Sequence, residues 1–383
     1  MSPDAAIARD SRRIALLALV ATRVPVLIVG ALAVMVVGTW PAPVAAGLWR
    51  VSSNEILNLL ARWDSFWYYS IATVGYHWDP TVFRHENVVF FPLYPLLMRW
   101  GSGFAGGSPL LAGLTVSLVS FTIAIAILYR LACEDLGADR ARAGILLLAT
   151  YPFALFYSTV YTESLFLMLA AAVFYAMRRD HLFIAAICGL AAGLTRPNGF
   201  WLGVPMLLIV ASRRRDVPTG RLVAGIAASA MPFLGVLAYS GYLRSHFGDG
   251  LAWVHGQAAW GLQALLRPGA KDEVPYPWPW SAEFTDVMNW IFNIGAFAIA
   301  ACSLMPIFRR FGAPYAVWIA LNIFPPVATH LFMSLGRFTA VLFPVFFWLA
   351  TIVPRSRLVQ VAACFAALQL GFATLFFLWR PIV

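Results

Sequence analysis

Asp64 has the residue type and the surroundings that catalysis at a membrane surface requires. It lies near the start of an aromatic-rich stretch, residues 62–95, which follows the first long apolar segment and is too polar to cross a bilayer. If residues 56–75 form one helix, three- and four-residue steps place Asp64 on its apolar face. A carboxylate there could act as a general base that takes a proton from a hydroxyl. Pairing with Arg62, or capping of a helix, would explain Asp64 equally well.

Two further acids are candidates to assist Asp64. Glu86 lies in a polar segment, residues 84–87, and Glu163 opens an apolar segment. The helix macrodipole alone favours an acid at a helix start, whereas an ionisable group so close to hydrocarbon is a functional candidate by default. The acids of residues 62–95 could instead bind a metal, but the chain has no DxD or HExxH motif. We therefore expect no metal site.

The composition indicates an integral membrane protein. Of 383 residues, 61% are hydrophobic and 11% are charged, whereas soluble domains have about 25% charged residues. Apolar runs of about 20 residues, long enough to cross a bilayer, recur along the whole chain, so we interpret residues 1–383 as one all-α polytopic domain. The net charge of +10 is almost all arginine in short loops, which indicates topology signals rather than nucleic-acid binding.

Eleven transmembrane helices satisfy the arginine distribution, because every predicted inner loop then carries at least two arginines. The predicted spans are 14–38, 109–131, 141–157, 163–178, 181–195, 199–211, 222–242, 286–307, 314–333, 338–353 and 358–379. The fifth and sixth are short and could be a re-entrant pair. Two large loops, 39–108 and 243–285, then lie on the outer side, and we expect amphipathic helices in both.

The predicted outer segments also contain the candidates for substrate binding. Arg196 and Arg337 lie on the side where few arginines are expected, and the planar fork of arginine suits a pair of phosphate oxygens. Pairing with Glu163, with Asp249 or with lipid headgroups is an equal alternative. The full set is Arg62, Trp63, His85, Asn87, Arg196, Asn198, Gln257, Trp260 and Arg337.

Several motifs in chain order resemble the PIG-V family, which contains the second mannosyltransferase of GPI-anchor assembly and bacterial relatives. They are Arg62-Trp63-Asp64, Ile71-Ala72-x-x-Gly75-Tyr76, His85-Glu86-Asn87, Phe90-Phe91-Pro92-x-x-Pro95, Tyr161-Thr162-Glu163-Ser164-Leu165-Phe166, Arg196-Pro197-Asn198-Gly199, Gly248-Asp249 with Gln257 and Trp260, and Gly336-Arg337-Phe338. The family pattern at the sixth motif is closer to Arg-Ser-Asn-Gly, so Pro197 is a departure.

The resemblance implies a GT-C glycosyltransferase that uses a polyprenyl-phosphate sugar, inverts the anomeric centre and has an acid of the first outer loop at its active site. By match, Asp64 is then the base, with Glu86 and Glu163 as supporting acids. The transferred sugar would be a hexose, mannose in this family, and the acceptor a lipid or glycan hydroxyl. No cofactor is expected. The site would face the periplasm or cell exterior in a bacterium, or the lumen of the endoplasmic reticulum.

A transporter or flippase of polyprenyl-linked sugars is the alternative. It predicts charged residues within the spans and broken helices near the midplane. The polar or helix-breaking residues within the spans are Arg23, Pro325-Pro326 and His330, whereas the acids gather in the outer loops. This distribution favours the enzyme. A structural or receptor protein would give no reason for Asp64 to lie on an apolar face. The chain has no Walker motif, dinucleotide fingerprint or nucleophile elbow, which argues against nucleotide-driven chemistry.

Overall fold

The computed structural model describes residues 3–38, 50–82, 84–260, 283–328 and 334–380. Within these ranges the chain forms helices joined by turns, with no strand. The α-helices are α1 Pro3–Ala18, α2 Val24–Val37, α3 Glu55–Asn58, α4 Ser65–Thr73, α5 Leu93–Gly101, α6 Pro109–Thr150, α7 Glu163–Arg178, α8 Leu182–Gly193, α9 Gly203–Ser212, α10 Thr219–Phe247, α11 Ala252–His255, α12 Glu283–Phe311, α13 Ala313–Ala328, α14 Leu335–Ala340, α15 Phe343–Ile352 and α16 Leu358–Phe377. A π-helical turn, Leu19–Arg23, joins α1 to α2.

The protein is a multi-pass membrane protein, although the count of eleven spans is not confirmed. Five helices of the described part are long and apolar enough to cross a membrane: Ala5–Val37, Pro109–Thr150, Thr219–Phe247, Val287–Phe311 and Arg355–Phe377. A sixth candidate is the pair Pro152–Ser158 and Glu163–Arg178, which is bent by 98°. The remaining apolar helices are shorter, with 10–17 residues. The proline- and tryptophan-rich run PYPWPW at residues 275–280, within the second predicted outer loop, and His330 lie outside the described residues.

The long helix α6 combines two predicted spans. Gly137 has φ 75° and ψ 165°, so it breaks the helix into two arms that overlap the predictions 109–131 and 141–157. The second prediction runs too far, because α6 ends at Thr150 and a separate 3-10 helix covers Pro152–Ser158. Ser108 caps the first arm by accepting a hydrogen bond from the Leu111 N–H at 3.3 Å. Because glycine adopts positive φ without a steric penalty, it can form this kink between two apolar helical arms.

The single helix predicted over residues 56–75 is wrong. The helical turns that start at Glu55 end at Ala61, Arg62 has an extended backbone, and Trp63 has φ 54°. The chain then turns at Asp64 into α4. A non-glycine residue in the left-handed region costs about 1–2 kcal/mol, so contacts with the rest of the fold must hold this break.

Those contacts come from the last helix of the chain. Arg62 Nε donates to the Phe377 carbonyl and Trp63 Nε1 donates to the Phe376 carbonyl, both at 3.0 Å. The last carbonyl groups of a helix have no partner within the helix. Arg62 and Trp63 therefore satisfy the end of α16 and fix the turn that carries Asp64.

Buried Arg23 has a packing role. Its Nη2 donates to the Ala149 carbonyl at 2.5 Å and to Gln369 Oε1 at 3.1 Å, and its Nη1 bonds the Ala154 carbonyl. Ala149 belongs to the last turn of α6, where carbonyl groups lack helical partners and a cation is favoured. Arg23 thus ties α6 and α16 to the first membrane helix.

Candidate active site

Two acids and two arginines from distant parts of the chain form a continuous series of ion pairs. Arg337 Nη1 donates to Asp64 Oδ2 at 2.9 Å. The other edge of the same guanidinium, Nε and Nη2, contacts Glu163 Oε1, with both distances 3.1 Å. Arg196 Nη1 reaches that same oxygen at 3.2 Å. We call these residues the ion-pair chain.

Four separate segments bring the ion-pair chain together. Asp64 immediately precedes α4, and Glu163 is the first residue of α7, where the helix dipole stabilises its charge. Arg196 has an extended backbone just before the 3-10 helix Pro197–Leu202. Arg337 lies in the short helix α14. All four segments belong to the side of the protein that the arginine distribution predicts to be the outer one.

Burial differs along the ion-pair chain. Glu163 is completely buried, Arg196 and Arg337 have side chains only 9% and 8% exposed, and the Asp64 side chain is 21% exposed. Asp64 is therefore the member most open to an incoming molecule. Two negative and two positive charges balance one another, and burying charges is tolerable only when they are paired in this way.

Aromatic rings enclose the arginines. The Arg337 guanidinium carbon lies 5.0 Å from the centre of the Phe156 ring and 4.9 Å from that of Tyr161. Arg196 lies over Phe338 at 5.4 Å. Such rings attract a cation and exclude water, so they strengthen the interactions of the guanidinium groups with nearby anions.

Arg62 and Trp63 directly precede Asp64 and support the turn in which it lies. Arg62 is 3% exposed, and its Nη1 donates to the Asn58 carbonyl at 3.1 Å. The Arg62 guanidinium also lies over the Trp379 ring at 4.9 Å. Burial lowers the pKa of Arg62 to about 10, so the group stays protonated at neutral pH. Both residues hold the turn in place through the contacts with α16 described above.

Glu86 is buried but lies outside the ion-pair chain. Its Oε1 accepts from Arg84 Nε at 2.7 Å, and its Oε2 lies 2.9 Å from His77 Nδ1. Asn87 has a similar local role, because its Oδ1 accepts from the His77 N–H at 2.9 Å and its Nδ2 donates to the Gly75 carbonyl at 3.0 Å. These contacts shape the segment that follows α4.

His85 lies close enough to Asp64 to respond to its charge. Burial lowers the pKa of His85 below its usual 6.5, and the negative charge of Asp64 partly opposes that shift. The imidazole is therefore mostly neutral at neutral pH. A neutral imidazole beside the carboxylate can offer a hydrogen bond to a sugar or acceptor hydroxyl without adding charge.

The remaining candidates are not members of the ion-pair chain. Asn198 Nδ2 donates to Asn322 Oδ1 at 2.7 Å, two residues after Arg196. Gln257 is half-buried in the 3-10 helix Gly256–Trp260, which packs on Val89. The side chain of Trp260 lies outside the described part of the structure.

Tyr161 belongs to the site, although it is not among the candidates expected from the sequence. Its hydroxyl oxygen accepts a hydrogen bond from the backbone N–H of Asp64 at 3.1 Å, and its ring carries Arg337. The signal was present, since Tyr161 stands two positions before Glu163 in one of the family-like motifs.

The described residues contain no group of three or more His, Cys, Asp or Glu side chains that could hold a metal ion. Asp79, one of the acids considered for such a site, accepts hydrogen bonds from Thr81 instead.

Residues 41–201 match the family model described as Mannosyltransferase (PIG-V). Over this region, which is less than half of the chain, the sequence is similar to the PIG-V family. The matched region contains Asp64, Glu86, Glu163 and Arg196, whereas Arg337 lies beyond it. No curated protein is significantly similar to the chain. The match supports glycosyltransferase activity, which implies a sugar donor and an acceptor substrate.

Proposed function

We propose that the protein transfers mannose from a polyprenyl-phosphate carrier to a hydroxyl acceptor at the outer face of the membrane, with inversion at the anomeric carbon. The observation that carries the proposal is the contact between Asp64 and Arg337, 2.9 Å long, in the least buried part of the ion-pair chain. It joins a carboxylate that can receive a proton to a cation that can stabilise a departing phosphate.

In the proposed reaction Asp64 is the general base. The acceptor hydroxyl attacks the anomeric carbon and gives its proton to Asp64, while the bond from that carbon to the phosphate oxygen breaks. The polyprenyl phosphate leaves with the bonding electron pair. A single displacement of this kind inverts the anomeric centre.

Arg337 is the proposed phosphate ligand. Glu163 binds its Nε and Nη2, so the guanidinium keeps its orientation while Nη1 faces Asp64. When Asp64 takes up a proton, Glu163, Arg196 and Arg337 together carry one net positive charge. Negative charge develops on the leaving phosphate in the same step. The net positive charge of the site can therefore stabilise the departing phosphate. A hydrogen bond from Arg337 to the charged phosphate would contribute about 1.5–3 kcal/mol.

The proposed partners follow from the same chemistry. A lipid-borne donor suits a site that lies at the start of the apolar helix α7 and just after the end of the apolar helix α8, and the acceptor is a lipid or glycan hydroxyl. The site would face the periplasm or cell exterior in a bacterium, or the lumen of the endoplasmic reticulum. We propose no metal cofactor, because one oxygen of each carboxylate, Asp64 Oδ2 and Glu163 Oε1, already pairs with an arginine.

The test uses purified protein in liposomes with radiolabelled polyprenyl-phosphate mannose and total membrane lipids. The wild-type protein should transfer label to an acceptor, and Asp64→Asn should abolish transfer while the protein stays folded. Asp79→Asn is the matched control, since the carboxylate of this acid in the same loop accepts its hydrogen bonds from Thr81. Unchanged turnover in Asp64→Asn would remove Asp64 as the base. EDTA should leave transfer intact, and a loss restored by Mn²⁺ or Mg²⁺ would contradict the metal-free proposal.

A further inference from the structure

We infer that Tyr161 is a positioning residue that sets the distance between Asp64 and Arg337. Two parts of its side chain are involved. The hydroxyl accepts a hydrogen bond from the backbone of Asp64, and the ring forms a cation–π contact with the guanidinium of Arg337. The inference rests on the proposed function, because it concerns the base and the phosphate ligand of that reaction.

The hydroxyl contact holds a turn that has few local constraints. The Asp64 N–H donates to Tyr161 Oη at 3.1 Å, and Asp64 is the residue just before α4, where backbone N–H groups lack helical partners. The preceding residue, Trp63, has φ 54°, a conformation that a tryptophan keeps only when its surroundings require it. The Tyr161 hydroxyl supplies one of these requirements, directly at the acid.

The ring contact holds the opposite partner. The Arg337 guanidinium carbon lies 4.9 Å from the centre of the Tyr161 ring, within the range of a cation–π interaction. The same short segment also supplies Glu163, which binds the far edge of that guanidinium. Arg337 is thus fixed from two sides by residues only two positions apart.

Tyr161 is itself rigidly packed. It is completely buried, and its ring contacts those of Phe156 at 5.0 Å and Phe376 at 5.8 Å between centres. Its carbonyl oxygen accepts a hydrogen bond from Ser117 Oγ at 3.2 Å. Because its side chain is held firmly, Tyr161 can fix the positions of both Asp64 and Arg337.

The expected consequence is catalytic. A general base must lie within hydrogen-bond reach of the proton that it takes, and a misplacement of about 1 Å can lower the rate about a hundredfold. The Tyr161 hydroxyl touches the backbone of Asp64 and not its carboxylate, so its loss should alter where the base lies without removing the base.

Tyr161→Phe removes the hydroxyl and keeps the ring. We expect kcat to fall about tenfold to a hundredfold, with the donor KM changed by no more than about twofold, because Arg337 keeps its ring contact. Tyr161→Leu also removes the ring, and it should raise the donor KM in addition. The assay is mannose transfer in liposomes, with rates normalised to the amount of monodisperse protein.

Tyr239→Phe is the matched control. The Tyr239 side chain is equally buried, and its hydroxyl donates to the Val88 carbonyl at 2.8 Å, in a separate hydrophobic cluster that α10 forms with Val88 and Phe91. It should show a similar change in melting temperature with kcat unchanged. A full kcat in Tyr161→Phe would refute the inference, and so would equal losses of kcat in Tyr161→Phe and Tyr239→Phe. Retained transfer in Asp64→Asn would instead refute the proposed function, whatever Tyr161→Phe shows.

Discussion

Charge balance within the ion-pair chain predicts that the losses of stability caused by two substitutions are not additive. Glu163→Gln removes the carboxylate that both arginines share, and Arg196→Gln leaves that carboxylate with Arg337 as its remaining ion-pair partner. Breaking a buried ion pair by removing one member costs about 3–5 kcal/mol, chiefly because the other charge stays buried without compensation. Both residues are almost fully buried, so solvent cannot supply that compensation.

The double variant Glu163→Gln/Arg196→Gln has the same net charge in the site as the wild type. If the two losses were independent, the double variant would be destabilised by about 6–10 kcal/mol. We expect it instead to be no less stable than either single variant, which corresponds to a coupling free energy of at least about 3 kcal/mol. Because the glutamine that replaces Glu163 still offers a carbonyl oxygen and has a similar shape, the change tests charge more than packing.

The free energy of unfolding can be measured by denaturant titration of the detergent-solubilised protein, followed by tryptophan fluorescence. Arg99→Gln is a suitable control, since Arg99 is exposed and its Nη2 donates only a long hydrogen bond, 3.4 Å, to the Thr73 carbonyl. It should change stability little. Additive losses in the double variant would show that the four charges do not act as one balanced group, and the mechanism drawn from that balance would fail.

Two further predictions concern single residues. Arg337→Lys should raise the donor KM about tenfold, because one point charge replaces a fork that contacts Asp64 and Glu163 together; an unaltered donor KM would count against the phosphate role. Burial lowers the pKa of His85 below 6.5. As the pH falls, the unfolded chain therefore takes up a proton at this residue before the folded protein does. The stability that is present above pH 6.5 is lost progressively below it. His85→Gln should lose less stability than the wild type between neutral and acidic pH, and identical pH profiles of unfolding would contradict this.

The sequence by itself determined the membrane character of the protein and the positions of several of its long helices. The predictions 222–242 and 358–379 correspond to Thr219–Phe247 and Leu358–Phe377, because a run of apolar residues must satisfy its own backbone hydrogen bonds and a helix does so locally. All members of the ion-pair chain were also among the candidates from the sequence. The positive-inside rule singled out Arg196 and Arg337, and Glu163 was singled out at the start of an apolar segment, whereas Asp64 was chosen partly on a helix over 56–75 that the structure does not contain. Information of this kind is local, and composition and spacing carry it.

Only the tertiary structure decided how those residues combine. The expected helix over 56–75 breaks at Trp63 because Arg62 and Trp63 bond carbonyl groups of α16, more than 300 positions further along the chain. Arg337 proves to join Asp64 to Glu163, and Tyr161 proves to contact both Asp64 and Arg337. Side-chain contacts between remote segments depend on how the helices pack, and no periodicity within one segment reports them.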